Sequence, residues 1–161
     1  MIIALTGTPG TGKTSIAKHF REYRVIDLTE FVKEHGLGEQ KEEFEVNIEE
    51  MKETVEEEID SEEDILIEGH LSHHCLADYC IVLRCEPEKL RERLSERGYS
   101  EKKIEENVES EMLDSILIEA VETQEKIIEI DTTDKKIEGS AELIKEKINK
   151  DKTGYGEIDW S

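Results

Sequence analysis

The sequence predicts a single α/β domain in which helices cover both faces of a mostly parallel β-sheet. Short apolar segments alternate along the chain with segments whose apolar residues recur at helical spacing. Alternation of this kind is typical of parallel strands joined by crossover helices. The length of 161 residues suits one domain, long enough to bury about two-thirds of the surface that the unfolded chain exposes.

Five short apolar segments are the predicted strands, because turn-forming or charged residues bound each of them. They are residues 1–5, 25–27, 65–68, 79–84 and 127–130. The first ends at Thr6-Gly7, where a glycine-rich loop begins, and the third reads ILIE and is expected to be buried.

Helices are predicted between these strands, where apolar residues recur every three or four positions. One carries Ile16, Ala17 and Phe20 after the glycine-rich loop, and the others lie near residues 28–34, 48–59, 86–96, 104–116 and 141–148. The helix at 28–34 ends before a pair of glycines, and glutamates form the solvated face of the helix at 48–59. Beyond residue 149 we expect a peripheral tail that docks through Trp160.

The chain is strongly acidic, with 42 acidic residues against 21 basic ones and a formal net charge of −21. This charge argues against non-specific attraction to nucleic acid or anionic membranes, so we expect no membrane association and no sequence-specific nucleic acid binding. A basic protein partner would be attracted. The same composition also fits life at high temperature or salt, and the sequence leaves the two explanations open.

Cys75, Cys80 and Cys85 lie in or beside an apolar run, which predicts buried or free thiols. No stretch approaches the roughly twenty apolar residues of a membrane span. The first residues read as a strand and leave no room for a signal peptide. The expected location is therefore cytoplasmic.

Residues 7–14 read GTPGTGKT and fit the phosphate-loop motif G-x-x-x-x-G-K-[S/T]. The glycines, among them Gly10 and Gly12, let the backbone N–H groups surround a phosphate at the start of the following helix. Lys13 is expected at the β- and γ-phosphates, Thr14 at Mg²⁺ and Ser15 at the α-phosphate. The motif therefore predicts binding of a magnesium nucleoside triphosphate.

A carboxylate is expected at the end of a neighbouring strand, because phosphate-loop proteins need one to organise Mg²⁺ and its waters. Glu68 ends the third predicted strand, so Thr14 and Glu68 are the predicted metal ligands. His70 lies two residues on, close enough to orient a water or help position the metal. The alternative is an ordinary strand-end glutamate and a surface histidine.

The same segment contains His73, His74 and Cys75, which are residue types that bind zinc. No second pair of ligands lies elsewhere at a usual spacing, so the sequence does not favour a zinc site.

Three of the six arginines, Arg91, Arg93 and Arg97, lie just before Gly98. Guanidinium groups that close over a transferred phosphoryl group stabilise its charge and exclude water. Arg97, next to the glycine, suits a mobile lid. For Arg91 and Arg93, pairing with glutamates of their own helix is an equally good explanation.

Together these motifs resemble the archaeal and eukaryotic nuclear-type adenylate kinase-like family. The resemblance rests on residues 7–14, on residues 68–70 (EGH) and on residues 97–104 (RGYSEKKI), and covers most of the chain. It implies a P-loop fold with a five-stranded parallel sheet of strand order 2-3-1-4-5. It also implies a nucleoside-monophosphate segment at about 29–52 and a short lid at about 96–107 within one domain, 1–161.

The resemblance further implies a function that the motifs alone do not give. Members transfer the γ-phosphoryl group of ATP to AMP or other nucleoside monophosphates, hydrolyse ATP more slowly, and bind a basic small-subunit ribosomal protein during 16S rRNA maturation. ATP would be held by Gly10, Gly12, Lys13, Thr14, Ser15 and Arg97. Lys13, Glu68, His70 and Arg97 would be catalytic, and residues 131–133 would surround the adenine.

Two departures from the family pattern affect these expectations. Glu68 stands where the family usually has Asp, so its carboxylate is one methylene farther out. The segment 28–58 contains no arginine, and Lys33 lies where an arginine would clamp the monophosphate. An alternative is therefore an ATP-hydrolysing assembly switch with little kinase activity, and a kinase for another small molecule also stays open.

Overall fold

The computed structural model describes residues 1–161 and contains a five-stranded parallel sheet. Its strands are β1 (Ile2–Gly7), β2 (Arg24–Asp27), β5 (Ile65–Glu68), β6 (Tyr79–Arg84) and β7 (Ile127–Asp131). They lie in the order β2-β5-β1-β6-β7, and every neighbouring pair is parallel. Counted by the five predicted strands, this is the order 2-3-1-4-5, so the predicted fold class is confirmed.

Seven α-helices accompany the sheet, and helices cover both of its faces. They are α1 (Lys13–Ala17), α2 (Leu28–Glu34), α3 (Ile48–Glu58), α4 (Pro87–Glu96), α5 (Glu101–Met112), α6 (Ser115–Thr123) and α7 (Ile137–Asn149). Asp27, Asn47 and Ser100 accept hydrogen bonds from backbone N–H groups at the starts of α2, α3 and α5, which explains where these helices begin.

The central strands are buried on both faces, which is why they are apolar except at their carboxyl ends. One face packs against α1 and α7 around Ile16, Phe20 and Ile144. The other packs against α2 and α3 around Met51 and Val55, and against α6 farther along the sheet. The carboxyl ends of the strands are thereby fixed side by side.

The structure differs from the sequence prediction in the segment between α2 and α3. A two-stranded hairpin forms there from β3 (Gly38–Gln40) and β4 (Phe44–Val46). Each strand has only three residues, too few to establish a periodic pattern. Phe44 packs over Gly38, where an added Cβ would come within 2.3 Å of the ring.

The helix predicted at 104–116 is two helices, because the chain breaks between α5 and α6. Asp114 has φ 55°, a left-handed conformation that Asp tolerates better than most residues. Its carboxylate accepts a hydrogen bond of 2.6 Å from the buried Arg84. This contact ends the periodicity that the sequence carries through the break.

The three cysteines are buried free thiols, as predicted. Burial raises the pKa of Cys75 and of Cys80 to about 12 and that of Cys85 to about 11, so all three stay protonated and unreactive. The C-terminal tail docks as expected: Gly154 bridges to Ile128 of β7, and Trp160 Nε1 lies 3.3 Å from Glu111 Oε2. None of the helices combines the length and apolarity needed to span a bilayer.

Candidate active site

The loop at residues 7–14 joins the carboxyl end of β1 to the start of α1. Two of its glycines have backbone conformations that disfavour side chains, with φ 93° at Gly10 and φ 108° at Gly12. At Gly10 a Cβ would also lie 2.9 Å from Leu90 Cδ1. The loop therefore needs both glycines to keep its shape and to fit against α4.

Threonine side chains hold this loop in place. Thr11 Oγ1 donates to the carbonyl of Thr8 at 2.7 Å, and Thr132 Oγ1 donates to the carbonyl of Thr11 at 2.8 Å. Thr8 Oγ1 donates to Glu111 Oε1 at 3.0 Å. The phosphate loop is thus tied to the end of β7 and to α5.

Lys13 bends back over the loop, and its ammonium donates to the carbonyls of Gly7 at 2.8 Å and Thr8 at 3.2 Å. The pKa of Lys13 is lowered to about 8, chiefly by burial. The charge of Arg97 acts in the same direction, and the charges of Glu68 and Glu111 act against it. An anion bound beside this ammonium would stabilise its charged form. Lys13 is therefore suited to hold a phosphate.

Thr14 and Glu68, the predicted metal ligands, are in direct contact: the Thr14 hydroxyl donates to Glu68 Oε1. Thr14 and Ser15 face solvent at the start of α1, whereas Glu68 is buried at the end of β5. A hydroxyl and a carboxylate oxygen are hard donors of the kind Mg²⁺ prefers, with its other positions taken by water and phosphate. The longer glutamate side chain thus reaches Thr14, and these residues fit a magnesium ion.

His70 follows Glu68 in the turn after β5 and is exposed to the cleft. Desolvation lowers its pKa, and the nearby charges of Lys13 and His73 act in the same direction. The ring is consequently neutral at pH 7 and can accept a proton or a hydrogen bond.

His70 and Gly69 also form part of the wall of an apolar cavity of about 330 Å³. Leu71, next to His70, lies in the same wall, and the other walls come from α2, the hairpin and the start of α3. Those elements contribute Leu28, Thr29, Val32, Phe44, Val46 and Ile48. Its volume lies at the lower end of the usual range for small-molecule sites. Lys33, which the sequence suggested as a monophosphate ligand, is exposed on α2 and is not part of this wall.

The three clustered arginines have different surroundings. Arg97 follows α4, is exposed, and lies near enough to Lys13 to lower its pKa. Arg91 pairs with Glu105 of the next helix, so pairing within its own helix is not what the structure shows. Gly98, with φ 79°, forms the turn after Arg97.

Arg93 has a role that the sequence did not predict. Its guanidinium donates to the carbonyl of Thr132 at 2.8 Å and to those of Gly10 and Thr133 at 3.3 Å. It thereby joins the phosphate loop to the turn at 131–133, where adenine contacts are expected. Within that turn Asp131 Oδ1 accepts from the N–H of Thr133 at 3.0 Å, so the turn is already ordered.

A buried charge network supports the site from behind. Arg84 is fully buried at the end of β6 and donates to Glu111 at 3.0 Å, Asp114 at 2.6 Å and Glu129 at 2.8 Å. Burial alone would lower the pKa of Arg84, but these carboxylates raise it and keep it charged. Since Glu111 also holds Thr8, the network fixes the phosphate loop relative to α5. Nothing in the local sequence distinguishes these carboxylates from the other acidic residues.

The fold and this arrangement define the class of protein: a P-loop nucleotide-binding protein with a kinase-type parallel sheet. A family model described as an AAA domain matches residues 3–114, more than half of the chain. The structure is similar to shikimate kinase from Bacteroides thetaiotaomicron, with a TM-score of 0.61 and 19% identity over 92% of this chain and 98% of that one. It is also similar to deoxyadenosine kinase from M. mycoides, with a TM-score of 0.59 and 16% identity over 92% and 99%. At these identities the likeness shows the fold.

Proteins similar in sequence identify the family. A protein of Pyrococcus abyssi named "Putative adenylate kinase" is 46% identical over 169 residues, spanning 100% of this chain and 92% of its own length. A protein of the same name from Methanocaldococcus jannaschii is 42% identical over 168 residues, spanning 100% and 93%. The chain belongs to the adenylate kinase-like family.

Proposed function

We propose that this protein transfers the γ-phosphoryl group of magnesium ATP to AMP or a related nucleoside monophosphate. The observation that carries the proposal is the apolar cavity beside the phosphate loop, whose wall includes Gly69 and His70. These residues directly follow Glu68, which contacts Thr14. A phosphate site and a cavity that suits a nucleoside base are therefore adjacent.

The chemistry follows from this adjacency. An oxygen of the acceptor phosphate would attack the γ-phosphorus of ATP, and the bond to the oxygen bridging the β- and γ-phosphates would break, which leaves two diphosphates. Charge develops on the transferred group and on the leaving β-phosphate. Lys13 lies in the phosphate loop and Arg97 lies near it, so these two cations would stabilise that charge.

The remaining side chains have supporting roles in this proposal. Gly10, Gly12 and Ser15 would bind phosphates through the loop and the start of α1, and residues 131–133 would contact adenine. Thr14 and Glu68 would hold Mg²⁺, which when bound screens phosphate charge. His70, neutral at pH 7, would donate its ring N–H to the acceptor phosphate, or accept a proton or hydrogen bond from water.

We also propose that residues 29–52 form the acceptor segment and residues 96–107 the lid. Support comes from Lys103 Nζ, which lies 2.9 Å from Glu43 Oε1 of the hairpin and so joins the two segments. Both side chains are exposed, and an exposed pair contributes at most about 1 kcal/mol. Such a weak contact is compatible with opening for substrate entry.

A second candidate function is ATP hydrolysis coupled to binding of a basic small-subunit ribosomal protein in 16S rRNA maturation. The position of Lys33 outside the cavity wall favours it, because the cavity then lacks a cation from α2 for the monophosphate. The charge of −21 favours a basic partner. The ribosomal identity of that partner rests on the family resemblance alone.

ADP production from magnesium ATP, measured with and without AMP, distinguishes the two functions. For a kinase, AMP stimulates ADP production strongly, and Lys13→Ala reduces the rate by about 100-fold or more. Lys18→Ala, an exposed lysine next to the same helix, is the matched control and should leave the rate unchanged. ATP hydrolysis whose rate does not depend on AMP, and which is lost in His70→Ala, would identify ATP hydrolysis as the main activity. No activity in any form would refute both functions.

A further inference from the structure

Three side chains capable of binding a metal ion meet away from the phosphate loop. His73 and His74 belong to a short 3₁₀ helix, Ser72–His74, and Glu119 belongs to α6. His73 Nε2 lies 2.8 Å and His74 Nε2 lies 3.4 Å from the same carboxylate oxygen, Glu119 Oε2. All three atoms lie within 4.8 Å of one another.

The ring of His73 is fixed in the orientation that a metal ligand needs. Its side chain is fully buried, and Nδ1 lies 2.8 Å from Thr6 Oγ1 in β1. A hydrogen bond at one imidazole nitrogen that leaves the other nitrogen for the ion is the usual arrangement around metal-bound histidines. Here Nδ1 lies at Thr6, and Nε2 faces Glu119.

The backbone that carries the two histidines is held against α6 independently of these side chains. Thr123 Oγ1 donates to the carbonyl of His73 at 2.8 Å. Gln124 Nε2 donates to the carbonyls of His73 and Cys75, each at 2.7 Å. Hydrogen bonds within the protein therefore hold this backbone in place, so little ordering would be required when an ion binds.

An ordinary histidine–glutamate pair would explain one imidazole beside Glu119 but not the second one. His35 and Glu58 form such a pair, in which one imidazole meets one carboxylate at 2.6 Å. At Glu119 a second imidazole approaches the same oxygen, and the two rings lie 4.2 Å apart. In a tetrahedral zinc site with bonds of about 2.0–2.2 Å, ligand atoms are about 3.3–3.6 Å apart. The separation of His74 Nε2 from Glu119 Oε2, 3.4 Å, lies in this range, and that of His73 Nε2, 2.8 Å, would lengthen when the ion takes the place of the hydrogen bond.

We infer that His73 Nε2, His74 Nε2 and Glu119 Oε2 form a binding site for a divalent transition-metal ion of the Zn²⁺ class. The neutral ring of His73 would carry its proton on Nδ1, donate it to Thr6 Oγ1 and give the lone pair of Nε2 to the ion in place of the hydrogen bond to Glu119. Water would complete the coordination. Two imidazoles and a carboxylate suit Zn²⁺ and its neighbours, not Mg²⁺. The bound ion would join the segment after Glu68 and His70 to α6, so its expected role is structural. This inference does not depend on the proposed kinase activity.

Titration of the chelator-treated full-length protein with Co²⁺, and then with Zn²⁺ in competition, tests the site. We expect one equivalent of Co²⁺ to give visible d–d absorption that Zn²⁺ abolishes and saturating magnesium ADP does not. His74→Ala and Glu119→Gln should each weaken binding by at least about tenfold. Both side chains are partly exposed, so the variants should keep the fold, which circular dichroism can verify. His35→Ala, in the ordinary pair, is the control and should bind normally.

The metal site can also be tested on the protein without substitutions. Zn²⁺ should shift the imidazole ¹⁵N resonances of His73 and His74 but not that of His35, and should raise the guanidinium midpoint of unfolding. Unchanged resonances of His73 and His74 at one equivalent of Zn²⁺ would overturn the inference. So would metal binding that Glu119→Gln leaves intact, or the absence of binding at millimolar Co²⁺.

Discussion

Replacement of Glu111 tests whether the buried charge network holds the phosphate loop. Glu111 is buried, and its carboxylate accepts hydrogen bonds from Arg84 Nε at 3.0 Å, from the N–H of Cys85 at 2.9 Å and from Thr8 at 3.0 Å. Glu111→Ala leaves these donors without that acceptor. Ala is a good helix former, so the loss comes from the network and not from the propensity of α5.

The magnitude follows from what Arg84 retains. Removing one partner of a buried ion pair costs about 3–5 kcal/mol because the other charge is left buried. Arg84 keeps Asp114 and Glu129 as partners, so we expect the lower end, a loss of about 3 kcal/mol in the free energy of unfolding. Thr8 also loses its anchor, so the KM for ATP should rise by up to about tenfold, the equivalent of one hydrogen bond to a charged group.

Guanidinium unfolding followed by far-UV circular dichroism measures the first effect, and ATP saturation kinetics measure the second. Tryptophan fluorescence is unsuitable for the comparison, because Trp160 lies against Glu111. Glu109→Ala, an exposed residue of the same helix, should change stability by less than about 0.5 kcal/mol. If Glu111→Ala were no more destabilising than Glu109→Ala, the network would not support the fold. A destabilised variant with normal KM would separate the network from the phosphate loop.

Three further predictions concern the site itself. Because the pKa of Lys13 is lowered to about 8, its ammonium loses its proton above that pH. Above pH 8, kcat/KM for ATP should therefore fall about tenfold per pH unit. Activity that persists to pH 10 would contradict a need for the charged ammonium. Glu68→Gln keeps the size but removes the charge that would hold Mg²⁺ in the proposed mechanism, so kcat should fall on the order of 100-fold. An unchanged magnesium dependence would exclude a metal role. Arg93→Ala should raise the KM for ATP and lower the free energy of unfolding by about 1.5–3 kcal/mol. Arg91→Ala is the control, because the exposed ion pair of Arg91 with Glu105 contributes less than about 1 kcal/mol.

The local features of this protein follow from the sequence alone. Five apolar segments predicted the five strands of the parallel sheet, and the motif at residues 7–14 located the phosphate loop. Glu68 was predicted as a metal ligand because a polar residue that ends a buried strand lies at the edge where ligands bind, and the structure brings its carboxylate to Thr14. These signals involve residues close together in the chain, so periodicity and spacing can reveal them. Strand order needed the family resemblance, since apolar segments do not specify their neighbours.

Contacts between distant residues were decided only by the tertiary structure. Asp114 breaks the helix predicted at 104–116 because its carboxylate accepts a hydrogen bond from the buried Arg84, thirty positions earlier. Glu119 meets His73 across 46 positions of sequence, and Arg93 reaches Thr132 across 39. The sequence does not show which of the 42 acidic residues forms a given contact. The energy of a charge depends on its burial and on the groups that surround it. Both are fixed only when the chain folds.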